Sequence, residues 1–314
     1  MIPLEQIRLA RETIAGTAVR TPLLRLHVEG PAEIHLKPET LQPIGSFKIR
    51  GAYNAIAEAP RDQLATGVVT ASAGNMAQGV AWAARGLGIP CTVIVPDHAP
   101  ATKLAAIERL GAAHVSVPFD RWWQVLEERS FPGVEGFFVH PVEDEPVMAG
   151  NGTIGLELVE DLPDADTVIV PWGGGGLLVG IASAVKAHRP ETRVLAVELE
   201  TAAPLTASLA AGEPREIDYR ATWVDGAGAR ALLPKMWRLG RPLVDGTVVV
   251  SLEETAAAVR LLAERVRLVA EGAGALAVAA ALSGRVPGRK LVAIVSGGNI
   301  DSGVLSRILE GETP

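Results

Sequence analysis

The sequence predicts an α/β protein built mainly on parallel β-sheets, and two observations carry that prediction. Short runs rich in Val and Ile recur along the 314 residues, and Ala/Leu/Arg-rich segments with helical spacing of their apolar residues separate them. The short runs are continuously apolar rather than alternating, which is typical of parallel strands covered on both faces by crossover helices. We therefore expect layers of helices on both faces of each sheet.

The predicted elements alternate along the chain. In order, the predicted strands are Val68–Thr70, Cys91–Pro96, His114–Pro118, Gly136–His140, Thr167–Pro171, Arg193–Glu198, Thr247–Ser251 and Leu291–Ser296. The predicted helices between them include Ala77–Leu87, Ala101–Leu110, Leu177–His188 and Glu253–Ala270. No repeat or Gly/Ser-rich linker divides the chain, so two domains, if present, are expected to be interleaved rather than consecutive.

Composition narrows the class of partner. The chain has 29 Lys and Arg residues against 36 Asp and Glu residues, a net charge of −7. An acidic balance gives no broad electrostatic reason to bind nucleic acid or an anionic membrane, so a small molecule is the expected partner. Two uncharged runs, Thr66–Ala84 and Thr167–Val185, are interrupted by glycines and polar residues and predict buried strand–loop–helix units, not membrane spans.

The cysteine count and the N-terminus bear on location. Cys91 is the only cysteine, which excludes an intramolecular disulfide and a CxxC zinc site. The first ten residues place Glu5 and Arg8 where a secretory signal needs an apolar core, and they predict an amphipathic helix instead. We therefore expect a cytoplasmic protein.

Lys48 is the lysine whose neighbours set it apart from the other five. It lies in Gly45-Ser-Phe-Lys-Ile-Arg-Gly51, between glycines and directly after an aromatic residue. One interpretation is a solvated lysine in the first turn of a helix. The other is a lysine that forms a Schiff base with a carbonyl cofactor, since partial burial lowers the pKa of an amine enough to free it.

The run Gly173–Gly176 is a phosphate-loop candidate. It follows the strand Thr167–Pro171 and opens the apolar helix that starts at Leu177. Consecutive glycines allow backbone amides to converge on one point, and a helix N-terminus favours an anion. A flexible turn is the alternative. By contrast, Gly150–Gly155 matches the dinucleotide pattern GxGxxG by letters only, because no convincing strand precedes it, and we reject that interpretation.

Two further turns place polar residues after strands. Ser72-Ala-Gly-Asn75 leads into a helix, where it predicts either a carboxylate site or a simple helix cap. Ser296-Gly-Gly-Asn299 ends the last strand and is either a tight turn or part of a ligand site, because open α/β sheets bind ligands at the carboxyl ends of their strands.

Taken in order, these four motifs resemble the threonine/serine dehydratase family of pyridoxal-phosphate enzymes, which have fold type II, the tryptophan-synthase β fold. The resemblance covers essentially the whole chain. It includes the shorter motifs Arg20-Thr-Pro-Leu23, Lys37-Pro-Glu39, Asn151-Gly-Thr153, Val224-Asp-Gly226 and Glu271-Gly-Ala-Gly274. It implies two interleaved three-layer α/β/α domains: a large domain of residues 1–50 and 146–314, and a small inserted domain of residues 51–145.

The resemblance also implies roles for the cofactor residues. Lys48 would bind pyridoxal 5′-phosphate covalently and remove the Cα proton, while Phe47 would pack on the pyridine ring. Asn75 would hydrogen-bond the 3′-oxygen, and Ser296 would face the ring nitrogen, where a hydroxyl makes the cofactor a moderate electron sink. The backbone amides of the run Gly173, Gly174, Gly175 and Gly176 would hold the phosphate.

The substrate carboxylate would be bound by the turn formed by Ser72, Ala73, Gly74, Asn75 and Met76. Three departures from the family pattern occur in or near the site: Met76 stands where His is usual, the bulky Trp172 precedes the glycines, and Ala73 replaces the Ser that a racemase uses as its second acid/base. A divalent-cation site would use Glu198 and an acid six residues later, but that position is Pro204. A metal is therefore not expected. If one were bound, Glu198 would be its possible ligand.

These features predict a pyridoxal-phosphate ammonia-lyase that dehydrates a 3-hydroxy amino acid, L-threonine or L-serine, to a 2-oxo acid and ammonia. The alternatives are a dehydratase for a bulkier or acidic substrate such as phenylserine or hydroxyaspartate, a serine racemase-like enzyme, a non-catalytic cofactor carrier and a nicotinamide oxidoreductase. The resemblance favours a homodimer. Because the chain ends soon after Asn299, no regulatory domain and no feedback by isoleucine are expected.

Overall fold

The protein, described here from a computed structural model of residues 1–314, contains ten strands and twelve α-helices. The strands are β1 Leu24–Leu26, β2 Glu33–Pro38, β3 Val68–Ala71, β4 Cys91–Pro96, β5 Ala113–Val117, β6 Phe137–Phe138, β7 Thr167–Pro171, β8 Arg193–Leu199, β9 Gly246–Val250 and β10 Lys290–Val295. The helices are α1 Leu4–Thr13, α2 Lys48–Ala57, α3 Asn75–Leu87, α4 Ala101–Arg109, α5 Phe119–Glu128, α6 Glu145–Asp161, α7 Gly176–His188, α8 Pro204–Ala211, α9 Pro234–Gly240, α10 Leu252–Leu261, α11 Gly272–Leu282 and α12 Ser302–Leu309.

The larger sheet has six strands in the order β1-β2-β10-β7-β8-β9. All its pairings are parallel except that of β1 with β2. Successive residues of β10 face opposite sides: Val292 and Ile294 pack towards α6 and α7, whereas Leu291, Ala293 and Val295 pack towards α10 and α11. Both faces of the sheet are therefore buried, as the continuously apolar strands predict.

The smaller sheet has four parallel strands in the order β5-β4-β3-β6. Its main core packs α3 against β3 and β4, and it includes Cys91, whose burial raises the pKa of the thiol to about 12. The α/β class with mainly parallel sheets is thus confirmed. The boundaries of the predicted domains, at residues 50 and 146, stay a prediction.

The rejected pattern Gly150–Gly155 lies inside α6, not in a strand-to-helix turn. Its glycines let α6 approach α7 closely: a Cβ on Gly155 would lie 2.6 Å from the carbonyl oxygen of Ile181. The pattern is therefore a helix-packing feature, which agrees with the rejection of a dinucleotide site. No helix combines the length and apolar character needed to cross a membrane.

The structure differs from the predicted elements in two places. Strands β1 and β2 were not predicted, because Leu24–Leu26 is too short to show a pattern and Glu33–Pro38 carries Glu, His and Lys between its apolar residues. The helix predicted over Glu253–Ala270 ends earlier: α10 continues as a π-helical turn, Leu262–Val266, and Arg267 then adopts a left-handed φ of 64°. The amide of Leu268 bonds back to the Leu262 carbonyl and closes the helix.

A buried ion cluster joins β2, α2 and α6. The guanidinium of Arg50, 1% exposed, donates to both carboxylate oxygens of Glu39 at 2.8 and 2.9 Å, and to those of Glu157 at 2.6 and 3.1 Å. Lys37, fully buried, lies 2.6 Å from Glu157 and donates to the carbonyl of Thr21. Two cations and two carboxylates balance, and the carboxylates raise the pKa of Arg50, so this arginine stays charged.

We expect Arg50→Ala to lower the free energy of unfolding by about 3–5 kcal/mol, because it leaves Glu39 and Glu157 buried without their main cation. The matched control is Arg307→Ala, since Arg307 pairs with Glu312 on the surface with about half of each side chain exposed. That change should lower the free energy by about 0–1 kcal/mol. Urea unfolding of both variants measures the difference, and equal effects would contradict the importance of the buried cluster.

Candidate active site

Backbone hydrogen bonds join the Lys48 motif to the last strand. The amide of Phe47 donates to the carbonyl of Ser296 at 3.0 Å, and the amide of Gly298 donates to the carbonyl of Gly45 at 2.8 Å. Between these two bonds, Ser46 pairs with Gly297 as an isolated β-bridge. Two motifs that lie about 250 positions apart in the sequence are therefore held in fixed register.

Asn75 is oriented from both ends of its amide. The side chain of Asn299 donates to the carbonyl of Ile44 at 2.9 Å and to Oδ1 of Asn75 at 2.7 Å. On the other side, Nδ2 of Asn75 donates to Oε1 of Glu271 at 2.6 Å. The Ser72 turn and the Ser296 turn are thus linked through Asn75 and Asn299, and the second N–H of Asn75 remains free for a ligand.

Lys48 is the first residue of α2, and its amine is held by the protein on one side. Its Nζ donates to the carbonyl of Pro141 at 2.8 Å and lies 5.2 Å from the centre of the Phe47 ring. Burial of the amine lowers its pKa to about 8, against the opposing charge of Glu271. About a tenth of this lysine is therefore uncharged at pH 7, far more than for an ordinary lysine, and the uncharged form is the state that a nucleophile or a base requires.

The glycine run lies between β7 and α7, as the sequence predicts. Gly174 is exposed, and Gly173 is half-buried against the carbonyl of Gly226. Gly175 has a φ of 93°, and a Cβ there would lie 2.6 Å from the Trp172 ring, so no other residue fits without strain. The run therefore reaches solvent at Gly174, while Gly175 and Gly176 are buried at the N-terminus of α7, where backbone amides favour an anion.

Trp172 points away from this opening. Its ring is 1% exposed and belongs to the core between Gly175 and Gly240, together with Met236 and Trp237. The bulk of Trp172 thus lies behind the glycine run, in the core. The position of Trp172 therefore gives no evidence that the enzyme acts on a bulkier substrate.

The turn Ser72–Asn75 precedes α3 at the carboxyl end of β3. The amide of Ser72 donates to the carbonyl of Ile94, and Oγ of Ser72 accepts from the amide of Gly74 at 3.2 Å. Ser72, Ala73, Gly74 and Asn75 are all partly exposed, whereas Met76 is 2% exposed in the core of the smaller sheet. Burial favours a packing role for Met76, and its predicted contact with substrate stays a prediction.

Ser296 ends β10 and is 4% exposed. Its hydroxyl has one weak protein partner, the carbonyl of Ala273 at 3.4 Å. A hydroxyl with one long bond retains hydrogen-bonding capacity for a ligand.

Glu271 is a site residue that the sequence analysis placed in a motif without giving it a role. It is the residue before α11, 6% exposed, and its Oε1 accepts from Asn75. Burial first, and the nearby charge of Asp225 second, raise the pKa of this carboxyl to about 7. The motif Glu271-Gly-Ala-Gly274 was the available signal, but only the fold brings Glu271 close to Asn75.

Glu198 serves a structural purpose in this fold. Its carboxylate accepts from the amides of Leu205 and Thr206 and from the hydroxyl of Thr206, at 2.6 to 2.8 Å, and so caps the start of α8. Three donors thus already occupy the carboxylate of Glu198. No group of three or more His, Cys, Asp or Glu side chains is placed to hold a metal ion.

Comparison with known proteins identifies the family of this chain. Residues 14–297 match the family model described as pyridoxal-phosphate dependent enzyme. The chain is 42% identical to L-threonine ammonia-lyase of Thermotoga maritima over 318 residues, which covers 98% of this chain and 78% of that protein.

Two solved structures are also similar. The threonine deaminase of T.th. has a TM-score of 0.87 and 37% identity, covering 95% of this chain and 98% of the other. Maize serine racemase has a TM-score of 0.88 and 34% identity, covering 98% and 96%. The resemblance predicted from the motifs is confirmed, and the chain belongs to the family of pyridoxal-phosphate dependent enzymes.

Proposed function

We propose that this protein is a pyridoxal-phosphate ammonia-lyase that dehydrates L-threonine or L-serine to the corresponding 2-oxo acid and ammonia. The observation that carries the proposal is that the half-buried, weakly basic amine of Lys48 bonds to the Pro141 carbonyl, next to Val142, which contacts the Gly173–Gly176 run. The relative in Thermotoga maritima and the deaminase structure, both named for threonine, support the same reaction.

The residues present fit the cofactor. The Gly173–Gly176 run lies at a helix N-terminus, which favours an anion, and a side chain at its exposed residue Gly174 would collide with Val142. Lys48, Asn75 and Ser296 each have a polar atom with unused bonding capacity. When bound, pyridoxal phosphate supplies the carbonyl that condenses with amines and the electron sink that acidifies the Cα–H bond.

Each residue then has a task that its chemistry permits. Lys48 would hold the cofactor and, as a neutral amine, could accept the Cα proton. Gly173–Gly176 would bind the phosphate through their amides, and Phe47 would pack beside the ring. Asn75, which Asn299 and Glu271 orient, would donate to the ring oxygen, and the uncharged hydroxyl of Ser296 would hydrogen-bond the ring nitrogen.

The turn Ser72–Asn75 is the proposed site of the substrate carboxylate, because it combines a hydroxyl with backbone amides at the start of α3. Ala73 lies in this turn and carries only a methyl group, so it has no proton to deliver to the substrate. This favours elimination over racemisation, although maize serine racemase has the same fold. A bulkier or acidic 3-hydroxy amino acid is the remaining alternative substrate.

We further propose a homodimer in the cytoplasm. The homodimer rests on the family resemblance, and the location rests on the single, unpaired cysteine, which fits a reducing compartment.

We expect Lys48→Ala to lower the rate of 2-oxo acid release from L-threonine and L-serine roughly 10⁴-fold or more, because proximity and general-base catalysis are both lost. The control is Lys290→Ala, since Lys290 begins β10 at the end of the strand remote from Ser296. Borohydride reduction and peptide mapping should also place the cofactor on Lys48. Labelling of Lys37 or Lys103 would refute the assignment.

We expect Gly174→Asp to weaken pyridoxal-phosphate binding at least roughly 10-fold, because its side chain meets Val142 and its carboxylate repels the phosphate. The matched control is Gly86→Asp, on the exposed side of α3 with no atom near its added Cβ. Titration of both apoproteins with the cofactor gives the two affinities. Equal affinities would remove the glycine run from the site.

We expect Ala73→Ser to raise the rate of racemisation of L-serine while dehydration continues, because the hydroxyl provides a second proton donor in the carboxylate turn. The measurement follows D-serine and pyruvate in parallel for the unmodified enzyme and the variant. If the unmodified enzyme racemises as fast as it eliminates, the racemase alternative replaces the proposal.

A further inference from the structure

His140 is a buried imidazole that the proposed mechanism does not use. It is 3% exposed, and its Nδ1 accepts from two backbone amides, those of Val142 at 3.1 Å and Glu143 at 2.9 Å. A ring nitrogen that accepts two N–H groups carries no proton, so any proton of the neutral ring is on Nε2. These bonds close a tight turn, residues 140–143, which we call the His140 turn.

The His140 turn contacts both parts of the proposed cofactor site. The carbonyl of Pro141 accepts from the amine of Lys48 at 2.8 Å. The side chain of Val142 packs where a Cβ on Gly174 would lie, and a Cβ on Gly176 would be 2.8 Å from the Val142 carbonyl oxygen. One short turn therefore contacts the lysine with one residue and the glycine run with the next.

The turn is also held at both of its ends. The backbone amide of His140 donates to Oδ2 of Asp144 at 2.7 Å, and Asp144 forms an ion pair with Arg129. At the other end, the carbonyl of Glu143 accepts from Lys235 at 2.9 Å. Only the imidazole, however, bonds to the two amides inside the turn. The Val142 amide shares a peptide plane with the Pro141 carbonyl, so fixing that amide fixes the direction of the carbonyl.

We propose that His140 is a positioning residue: by accepting the amides of Val142 and Glu143, it aims the Pro141 carbonyl at Lys48 and the Val142 side chain at the glycine run. The inference rests on the proposed function, since it gives this turn the task of placing the cofactor lysine. The Pro141 carbonyl thus fixes the position of the Lys48 amine by accepting one of its N–H groups.

A neutral acceptor suits this position better than a charged one. Burial lowers the pKa of His140 to about 3, and the charges of Arg129, Lys48 and Lys235 act in the same direction. The ring is therefore uncharged at neutral pH. A carboxylate in its place would add a second negative charge near Lys48, besides Glu271, and would favour the protonated amine.

The test compares His140→Leu, which removes the acceptor, with His140→Asn, whose neutral Oδ1 occupies about the place of Nδ1. The control is His188→Leu, because His188 ends α7 at the end opposite to the glycine run. Three quantities are measured for each apoprotein. The first is the dissociation constant of pyridoxal phosphate. The second is the pH at which attachment of the cofactor to Lys48, trapped by borohydride reduction, is half-maximal. The third is the midpoint temperature of thermal unfolding.

We expect His140→Leu to raise the dissociation constant roughly 10-fold or more, since two buried amides lose their acceptor. The pH midpoint of capture should move from about 8 towards the ordinary lysine value, because a loosened turn lets water reach the amine. His140→Asn should keep the dissociation constant within about threefold of that of the unmodified protein and leave the pH midpoint of capture unchanged. His188→Leu should change neither quantity.

Two results would overturn the inference: equal behaviour of the Leu and Asn variants, or loss of thermal stability in His140→Leu with an unchanged dissociation constant and pH midpoint. If His140→Leu does not fold, Val142→Ala replaces it. Val142→Ala should weaken cofactor binding without moving the pH midpoint of capture. If it leaves cofactor binding unchanged, the inference is also overturned. Capture at another lysine in the unmodified protein would instead refute the proposed function itself.

Discussion

The insertion of β10 between β2 and β7 is the constraint on which the rest of the structure depends. The last strand of the chain pairs over six residues with β2 and over three with β7, and all three strands run parallel. Parallel strands end at the same edge of a sheet, so Ser296 after β10 and the glycine run after β7 reach the same edge. The backbone bonds of Ser296 and Gly298 to the Lys48 motif then complete the site. Because these pairings are remote in sequence, the site exists only when the six-stranded sheet is complete.

Lys48 and Arg50 lie in the same turn of α2, but their environments shift their pKa values in opposite directions. Arg50 points into the interior and pairs with Glu39 and Glu157, so its charge is compensated and it joins the segment after β2 and α6 to α2. Lys48, two residues earlier, forms no ion pair; its amine donates to the neutral carbonyl of Pro141, and burial lowers its pKa. A buried cation with carboxylate partners stays charged and structural, whereas one without them becomes a weak base. The geometry therefore combines a rigid anchor with a reactive amine on one helix.

The two bulky departures from the family pattern are explained by the core. Trp172 fills the space between Gly175 and Gly240, and Met76 lies among the small residues of α3. Neither side chain gives direct support for an altered substrate. Ala73, by contrast, lies in the partly exposed turn after β3, where the proposed function places the substrate carboxylate. The proposed function therefore assigns the choice between elimination and racemisation to Ala73, whereas Trp172 and Met76 fill the core.

By itself, the sequence determined the α/β class, eight of the ten strands and the glycine run after β7, and it singled out Lys48 among six lysines as the candidate cofactor lysine. These features are local: a continuous apolar run, a strand–glycine–helix order and an aromatic neighbour are all visible within a few residues. Only the tertiary structure decided that β2 joins the centre of the larger sheet, that Glu271 and Asn299 orient Asn75, and that His140 shapes the turn facing Lys48. Each of these depends on contacts between residues far apart in the chain or on the direction of a single carbonyl. No local pattern of residue types encodes such contacts, because their free energy appears only when the sheets have formed and water has been excluded.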